Sequence, residues 1–381
     1  MKVCLISGTH GDEPYGSSIR PTCLAKYLAG QGVEILHFAR KHYASGDDIP
    51  GLKNYDLLEG SWKNRFEIIY QALAHSPPDV IYSHQIESAK LALMLSFFLR
   101  IPHVYDAHSS IALEAPTYKS FPVDIKKRLY IFERMIVMFS SMIIVPSPEL
   151  KDYLRSRYHL KSAKIVIVKN GADRSKFFPV PHDKWLRESL HLGDAFLTVF
   201  PNPRLPTFPS NEMALRYLFD MIPEIEKKIP RIKFLILGGG PQPKGPSENI
   251  IYTGYVNDLA SYINAADVCV APFPDQAVCG GTRTKICEFL ACGKPIVATR
   301  EAMRGFDDAV PGKHFFLAND AEDFVHQIAE CAKFPEKGKC IGKNARILSE
   351  DYDWAYLSKK LAKHLMEAVS SGKGGGKPRI A

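Results

Sequence analysis

The sequence predicts an α/β protein built from two doubly wound domains, each with a parallel sheet. The chain has 381 residues, of which 46% are hydrophobic, and this is enough for two packed cores. Strand-like and helix-like segments alternate along the chain, as they do in parallel sheets covered by helices on both faces. The alternation breaks once, in the proline-containing segment DRSKFFPVPHDKW at 173–185. That composition is typical of an interdomain connector.

The first domain is predicted to span residues 1–175. Its strands are short apolar runs, and its helices are longer amphipathic segments between them. The segment 40–62 shows no pattern that assigns it to either type. In chain order the predicted elements are strand VCLIS, helix 18–30, strand VEILHFA, helix 64–75, strand DVIYSH, helix 87–99, strand PHVYDAH, helix 124–140, strand SMIIVPS, helix 148–156 and strand KIVIVKNGAD.

The second domain is predicted to span residues 180–351. A closing helix at 352–369 is expected to pack back on the first domain. The Gly/Lys-rich tail 370–381 is expected to be disordered. In chain order the predicted elements are strand AFLTVFP, helix NEMALRYLFDMIPEIEKK, strands KFLILGG and IIYTGYV, helix 258–264, strand DVCVAPF, helix 284–292, strands PIVAT and HFFLA, helix 321–333 and the amphipathic DWAYLSKKLAKHLMEAV.

Charge and cysteine usage limit the classes of function. The net charge of +8 permits an anionic substrate or an acidic membrane surface, and gives no reason to expect nucleic acid. The eight cysteines form no CxxC pair or metal-ligand spacing. Several lie in apolar runs such as VCLIS and DVCVAPF and are therefore expected to be buried thiols in a reducing, cytoplasmic compartment. The missing ligand spacing gives no reason to expect a metal site, and no cofactor is expected. The longest apolar region contains Glu133 and Arg134, which argues against a membrane-spanning helix.

The stretch GGTRTKICEFLACGKPIVAT, residues 280–299, carries the clearest chemistry. It follows strand DVCVAPF, so its loop lies at the carboxyl end of a strand, where ligands bind in such sheets. A helix is expected to begin near Thr284. Its free N–H groups, with Arg283 and Lys285 beside them, would form a phosphate site.

Two other features of this stretch fit a nucleotide. Gly280 and Gly281 would let the backbone approach a ligand closely. Glu288 lies one turn deeper in the helix, about 6 Å along its axis, where a carboxylate could bind ribose hydroxyls. The alternative is an ordinary strand-to-helix connection with a solvated basic turn.

The stretch resembles the nucleotide-sugar-binding segment of retaining glycosyltransferases of family four, which have the GT-B fold. In that family two glutamates separated by seven residues mark this loop and helix. Glu288 matches the second glutamate, and Gly280 stands at the position of the first. The GGTR-x-K form resembles a variant of the motif, and this departure leaves open which sugar is held.

The resemblance covers most of the chain, in six segments that keep the family's order. It implies two doubly wound, Rossmann-like domains that face each other across a cleft. Besides the opening stretch, the matching segments are GDEPYGSSIRPTCLAKYLAGQGVEI, IPHVYDAHSS, SMIIVPSPELKDYL with KIVIVKNGADRSKFFP, IYTGYVNDLASYINAADVCVAPF and DWAYLSKKL.

The resemblance also implies roles for single residues. His108 would face the transferred sugar and act in catalysis together with Arg283 and Lys285. Arg204 would bind the diphosphate, although the family's accompanying lysine is not at its usual place. The remaining donor-binding positions are Gly16, Ser17, Arg20, Tyr255, Val256, Gly280, Gly281, Thr282, Thr284 and Glu288. The alternative for each is structural: a packing histidine, a tight turn or a solvated arginine.

The implied activity is a retaining, metal-independent hexosyl transfer. The donor would be a nucleoside-diphosphate sugar, and the acceptor would be a hydroxyl of a glycan or of a lipid-linked molecule. Two alternatives stay open: a GT-B-type nucleotide-sugar epimerase and a non-catalytic GT-B binding subunit. The basic amphipathic segment KKRLYIFERMIVMF is expected either to pack on the sheet or to make a peripheral contact with an anionic membrane.

Overall fold

The computed structural model describes residues 1–8, 16–39, 49–57, 61–114, 122–181, 184–202, 209–240 and 242–374. The described chain divides into two compact units. Unit 1 holds the described residues up to Lys169 together with the helix that begins at Trp354, and unit 2 holds Asn170–Asp353. Each unit is a parallel sheet with helices, so the predicted α/β class is confirmed.

Unit 1 is built on a sheet with the strand order β3-β2-β1-β4-β5-β6-β7. Its strands are β1 (Lys2–Ser7), β2 (Glu34–Ala39), β3 (Leu52–Asp56), β4 (Val80–His84), β5 (His103–Asp106), β6 (Met142–Val145) and β7 (Ile165–Ile167). Its helices are α1 (Gly16–Ala29), α2 (Trp62–His75), α3 (Gln85–Leu99), α4 (Ile111–Glu114), α5 (Val123–Phe139), α6 (Pro148–Tyr158) and α13 (Trp354–Gly374).

Unit 2 is built on a second sheet with the strand order β10-β9-β8-β11-β12-β13. Its strands are β8 (Phe196–Pro201), β9 (Ile232–Leu237), β10 (Ile250–Gly254), β11 (Val268–Ala271), β12 (Ile296–Thr299) and β13 (Phe316–Ala318). Its helices are α7 (Lys184–Ser189), α8 (Pro209–Lys228), α9 (Leu259–Ala265), α10 (Thr284–Ala291), α11 (Ala321–Lys333) and α12 (Pro335–Leu348).

Both faces of the unit 1 sheet are covered by helices. Along β1, Val3 and Leu5 belong to the core that contains α1 and α13 residues, whereas Cys4 and Ile6 belong to the core that contains α2 and α3 residues. This alternation follows from the two-residue period of a strand. Because β1 is buried on both faces, it reads as an almost continuous apolar run in the sequence.

The structure differs from the sequence prediction at several points. Helix α13 continues to Gly374, so the part of the predicted disordered tail at 370–374 is helical. Extending an anchored helix costs much less than nucleating one. Segment 40–62 contains edge strand β3, whose sequence LKNYD is mostly exposed and lacks alternation. The connector 173–185 runs into helix α7, and strand β11 ends at Ala271 rather than near Phe273. Within the described residues, no helix is long and apolar enough to cross a membrane.

Gly342 provides a test of packing in unit 2. A Cβ atom at this position of α12 would lie 2.2 Å from the carbonyl oxygen of Gly293, which follows α10. We therefore expect Gly342→Ala to lower the free energy of unfolding by about 2 kcal/mol, although alanine favours helices. Denaturant unfolding would measure this. The control is Gly30→Ala, whose Cβ would meet its nearest atom at an ordinary 3.6 Å. Equal stability of Gly342→Ala and the wild type would contradict the close approach.

Candidate functional site

The polar residues of the opening stretch gather at the carboxyl edge of the unit 2 sheet. The adjacent strands β8 and β11 form the switch point, because the strand order runs outwards from them in opposite directions. Doubly wound sheets bind ligands at this place. The loop 272–283 leads from β11 into α10, and no side chain caps the first turn of that helix. Its N-terminal N–H groups thus face the switch point without a side-chain acceptor.

Lys285 connects the two strand ends of the switch point. Its Nζ donates to the carbonyl oxygen of Pro201, at the end of β8, over 2.6 Å, and lies 3.4 Å from Oδ1 of Asn211. Burial, and then the neighbouring charge of Arg283, lower the pKa of Lys285 to about 7. A bound anion would stabilise the protonated form of Lys285 and so offset part of the free-energy cost of burying its charge.

Glu288 lies on α10, one turn beyond Lys285. The residue is 6% exposed. Its carboxylate has no hydrogen bond or ion pair with any residue that the structure describes. Burial raises its pKa to about 7, although the charge of Lys285 acts in the opposite direction. A buried carboxylate without donors is costly, and ligand hydroxyl groups would supply those donors.

Arg283 is held inside the loop. Its Nη2 donates to the carbonyl oxygen of Ala277 over 2.6 Å and lies 3.3 Å from Oε1 of Glu301. Its guanidinium carbon lies 3.5 Å from the centre of the Phe273 ring. These contacts shape the loop that precedes α10. The catalytic role that the sequence suggests for Arg283 stays a prediction.

Sequence reasoning missed Glu301, the buried carboxylate that organises this loop. Its Oε1 accepts the backbone N–H of Cys279 over 3.0 Å, and its Oε2 accepts Nε of Arg304 over 2.8 Å. It also pairs with Arg283. The available signal was its position two residues after β12, at a carboxyl end of the sheet.

The NG-x-D segment supports the same loop from another part of the chain. Nδ2 of Asn170 donates to the carbonyl oxygen of Thr282 over 3.0 Å, and the thiol of Cys287 lies 3.5 Å from the carbonyl oxygen of Asn170. The hydroxyl of Thr282 is buried and has no partner among the described residues. The resemblance identifies NG-x-D as a signature of the family. In the structure, Asn170 of this segment supports the loop before α10 through its hydrogen bond to Thr282.

Two further positions lie at the carboxyl end of β8. Asn202 is buried, and neither its Oδ1 nor its Nδ2 has a partner in the described ranges. Sequence reasoning passed over Asn202, although a polar residue directly after a buried strand was a usable signal. Arg204, the predicted diphosphate ligand, lies outside the described residues.

Tyr255 and Val256 follow β10 at the same edge of the sheet. The Tyr255 side chain is exposed, and the preceding Gly254 has a φ of 69° in the left-handed region. The N–H of Gly238, which follows β9, donates to the carbonyl oxygen of Gly254 over 2.9 Å. This hydrogen bond joins the loop after β9 to the loop after β10. No side chain that the structure describes covers the backbone at Gly254. Their predicted contact with the base stays a prediction.

In unit 1, His108 lies in a polar cluster at the ends of β4 and β5. Its ring centre is 5.4 Å from that of His84. His84 is fully buried, and neither of its ring nitrogens has a partner among the described residues. Burial, and then the neighbouring His84, lower the pKa of His108 to about 3, and burial also lowers the pKa of His84. Both rings are therefore neutral at physiological pH.

Arg20 is part of the interior of unit 1. Its Nε donates to Oδ2 of Asp106 over 2.9 Å, and both side chains are fully buried. Its other nitrogens donate to the carbonyl oxygens of Val168 and Lys169 over 2.9 and 2.8 Å. These contacts are structural, and the predicted donor contact of Arg20 stays a prediction. Gly16 and Ser17 form the start of α1, and Asp106 was not identified from the sequence.

Family models match both halves of the chain. A model described as "Glycosyltransferase Family 4" matches residues 16–176. A model described as "Glycosyl transferases group 1" matches residues 204–333, which include the loop and α10.

Curated relatives and solved structures agree with these matches. The sulfoquinovosyl transferase SQD2 of Arabidopsis thaliana is 23% identical over 77% of this chain and 57% of its own length. The D-inositol 3-phosphate glycosyltransferase of Corynebacterium efficiens is 23% identical over 93% of this chain and 91% of its own length. The Anabaena protein HepE, solved with UDP-glucose, has a TM-score of 0.76 and 17% identity over 96% of this chain and 99% of its own.

HepE and the other glycosyltransferase structures that this chain resembles have the GT-B fold, which confirms the predicted fold. With polar residues at the carboxyl edges of two Rossmann-like units and family models matched in both halves, this chain is similar to the group 1, family four glycosyltransferases.

Proposed function

We propose that this protein is a retaining hexosyltransferase that uses a nucleoside-diphosphate sugar and needs no metal ion. The observation that carries the proposal is the arrangement of Lys285, Glu288 and the uncapped start of α10 at one switch point. These groups match the two polar parts of a nucleoside diphosphate. The N–H groups and Lys285 suit the diphosphate, and the carboxylate suits the ribose hydroxyls.

Leaving-group stabilisation is the central catalytic step in this proposal. The bond between the anomeric carbon and the diphosphate oxygen breaks, and negative charge develops on the diphosphate. Lys285 and the start of α10 stabilise that charge with positions already set by the fold. Arg283 and Glu301 hold the loop in place. The acceptor oxygen forms its bond on the face that the leaving group vacates, and its proton passes to a phosphate oxygen.

Unit 1 supplies the acceptor side in this proposal. The neutral ring of His108 can donate and accept hydrogen bonds to hydroxyl groups of the transferred sugar. The acceptor would be a glycan or a lipid-linked molecule on the cytoplasmic side of a membrane. Relatives whose names contain a lipid support the lipid-linked class. One is the alpha-monoglucosyldiacylglycerol synthase of Acholeplasma laidlawii, 24% identical over 72% of this chain and 71% of its own length.

A nucleotide-sugar epimerase remains the second candidate. The chain shares its fold with a putative UDP-N-acetylglucosamine 2-epimerase from Listeria monocytogenes, with a TM-score of 0.60 and 13% identity over 97% of each chain. An epimerase would use the same donor groups without an acceptor. Incubation with the donor alone distinguishes the two, since only an epimerase would convert it into a stereoisomer with the nucleotide still attached.

The proposal is tested by thermal shift with a panel of nucleoside diphosphates and their sugars, in the presence of EDTA. We expect one base to stabilise the protein, by about 2.7 kcal/mol at a hundredfold excess over its dissociation constant. The sugar form with that base is then incubated with acceptor candidates, and NMR of the product determines the anomeric configuration. If no diphosphate binds at millimolar concentration, the transferase proposal fails and a non-catalytic role is favoured.

A further inference from the structure

Unit 1 exposes a set of large apolar side chains on two neighbouring helices. We call this surface the α3–α5 face and define it by Met94, Phe97, Ile131, Met135, Met138 and Phe139. Phe97 is 75% exposed, Phe139 71% and Ile131 60%. Single exposed apolar residues are common, but a contiguous group of this kind usually marks an interaction surface.

A direct contact joins the two helices into one face. Nζ of Lys90, on α3, lies 4.5 Å from the ring centre of Phe132, on α5. Each helix connects two neighbouring parallel strands, so both run in the same direction. Phe97 and Phe139 each lie two helical turns beyond this contact. The two most exposed phenylalanines of the face are therefore at the same end of it.

The charges around the face are mainly positive. Lys127, Arg128 and Arg134 on α5 are exposed, as is Arg100 directly after α3. The acidic residues of the two helices do not balance them. Glu87 is bound by Lys90 over 3.1 Å, Asp124 lies at the first turn of α5, and Glu133 is buried, where it accepts the N–H of Ile111 over 3.0 Å.

We propose that the α3–α5 face binds the surface of an anionic lipid bilayer. Aromatic and methionine side chains would enter the boundary between headgroups and acyl chains, and the basic residues would contact lipid phosphates. A second copy of the chain fits less well, because a two-fold contact would place like charges against each other. Binding of the face to a bilayer does not depend on the proposed function. The inference rests on that function only for the purpose of such binding, which is to give the enzyme access to a lipid-linked acceptor. The sequence indicated α5 alone, and the structure adds α3.

The test is co-sedimentation of the full chain with vesicles. Vesicles of phosphatidylcholine containing phosphatidylglycerol are compared with vesicles of phosphatidylcholine alone. We expect binding to the anionic vesicles that weakens with added salt. The double substitution Phe97→Ser and Phe139→Ser should weaken it by roughly tenfold or more. The control is Phe334→Ser, which removes an exposed phenylalanine from unit 2 and should leave vesicle binding unchanged.

Folding and self-association are checked on the same proteins. Nucleoside-diphosphate binding by unit 2 should be unchanged in the double variant, which separates loss of the face from loss of the fold. A second variant, Lys127→Glu with Arg128→Glu, should also weaken binding to anionic vesicles.

The proposal is overturned if the wild type does not sediment with anionic vesicles, or if both face variants bind as well as the wild type. It is also overturned if light scattering shows a dimer that the double variant abolishes. Vesicle binding without nucleotide binding would support the face and refute the proposed donor site.

Discussion

Glu288→Gln is expected to weaken nucleoside-diphosphate binding by roughly ten- to a hundredfold, the equivalent of a charge-assisted hydrogen bond of about 1.5–3 kcal/mol. The carboxylate is buried and has no hydrogen-bond donor among the described residues, so a bound ribose would be the group that satisfies it. Glutamine keeps the shape of the side chain and removes the charge. Isothermal titration calorimetry with the diphosphate identified by thermal shift would measure the loss.

The same substitution should stabilise the ligand-free protein, and the effect should depend on pH. The pKa of Glu288 is raised from 4.5 to about 7 in the folded state. Between these values the folded protein binds more protons than the unfolded chain, so its stability falls as pH rises. Glutamine removes the free-energy cost of the buried charge, which is on the order of 3 kcal/mol above pH 7. The stability difference between variant and wild type should therefore appear as pH rises from about 4.5 to 7.

The affinity for the diphosphate should be highest near pH 7. Below this pH Glu288 loses its charge, and above it Lys285, whose pKa is lowered to about 7, loses its own. Glu288→Gln should abolish the acid limb and leave the alkaline limb in place. The matched control is Glu322→Gln, at an exposed position on α11. Unchanged affinity in Glu288→Gln would show that this carboxylate does not bind the nucleotide.

Glu301→Gln is expected to have the largest effect on stability, a loss of about 3 kcal/mol in the free energy of unfolding. The carboxylate is buried and serves Arg283, Arg304 and the N–H of Cys279 together. Without its charge, Glu301 no longer pairs with the buried guanidinium of Arg283. Because Arg283 shapes the loop before α10, nucleoside-diphosphate affinity should fall as well. Denaturant unfolding and calorimetry would measure the two effects.

A matched surface pair provides the control for Glu301. Glu350 pairs with Arg174 over 3.5 Å, and the Glu350 side chain is 67% exposed. Glu350→Gln should change stability by less than about 1 kcal/mol, because exposed ion pairs contribute little. If Glu301→Gln and Glu350→Gln have equally small effects, Glu301 does not organise the loop. If stability falls but affinity does not, the loop conformation is independent of this ion pair.

The alternation of elements and the polar residues of the loop before α10 could be read from the residues alone. Buried parallel strands such as β1, β4 and β11 are apolar on both faces, so their composition identifies them without tertiary information. Lys285 and Glu288 could be placed on one helix because their spacing is local. Edge strand β3 and helix α12 were not predicted, because their own sequences lack the usual strand and helix patterns. β3 is polar and exposed, and α12 contains Gly338 and Gly342, which weaken a helical pattern.

Which distant residues meet depends on the packing of the whole chain. Asn170 reaches the loop at Thr282, Arg20 pairs with Asp106, and Glu301 holds Arg283 across a neighbouring strand end. The tertiary structure also revealed that α3 shares the exposed face of α5, which the apolar composition of α3 does not show. The physical reason is that strand order brings carboxyl ends together regardless of their separation along the chain. Local residue patterns do not encode that order, whereas the packing of the whole sheet does.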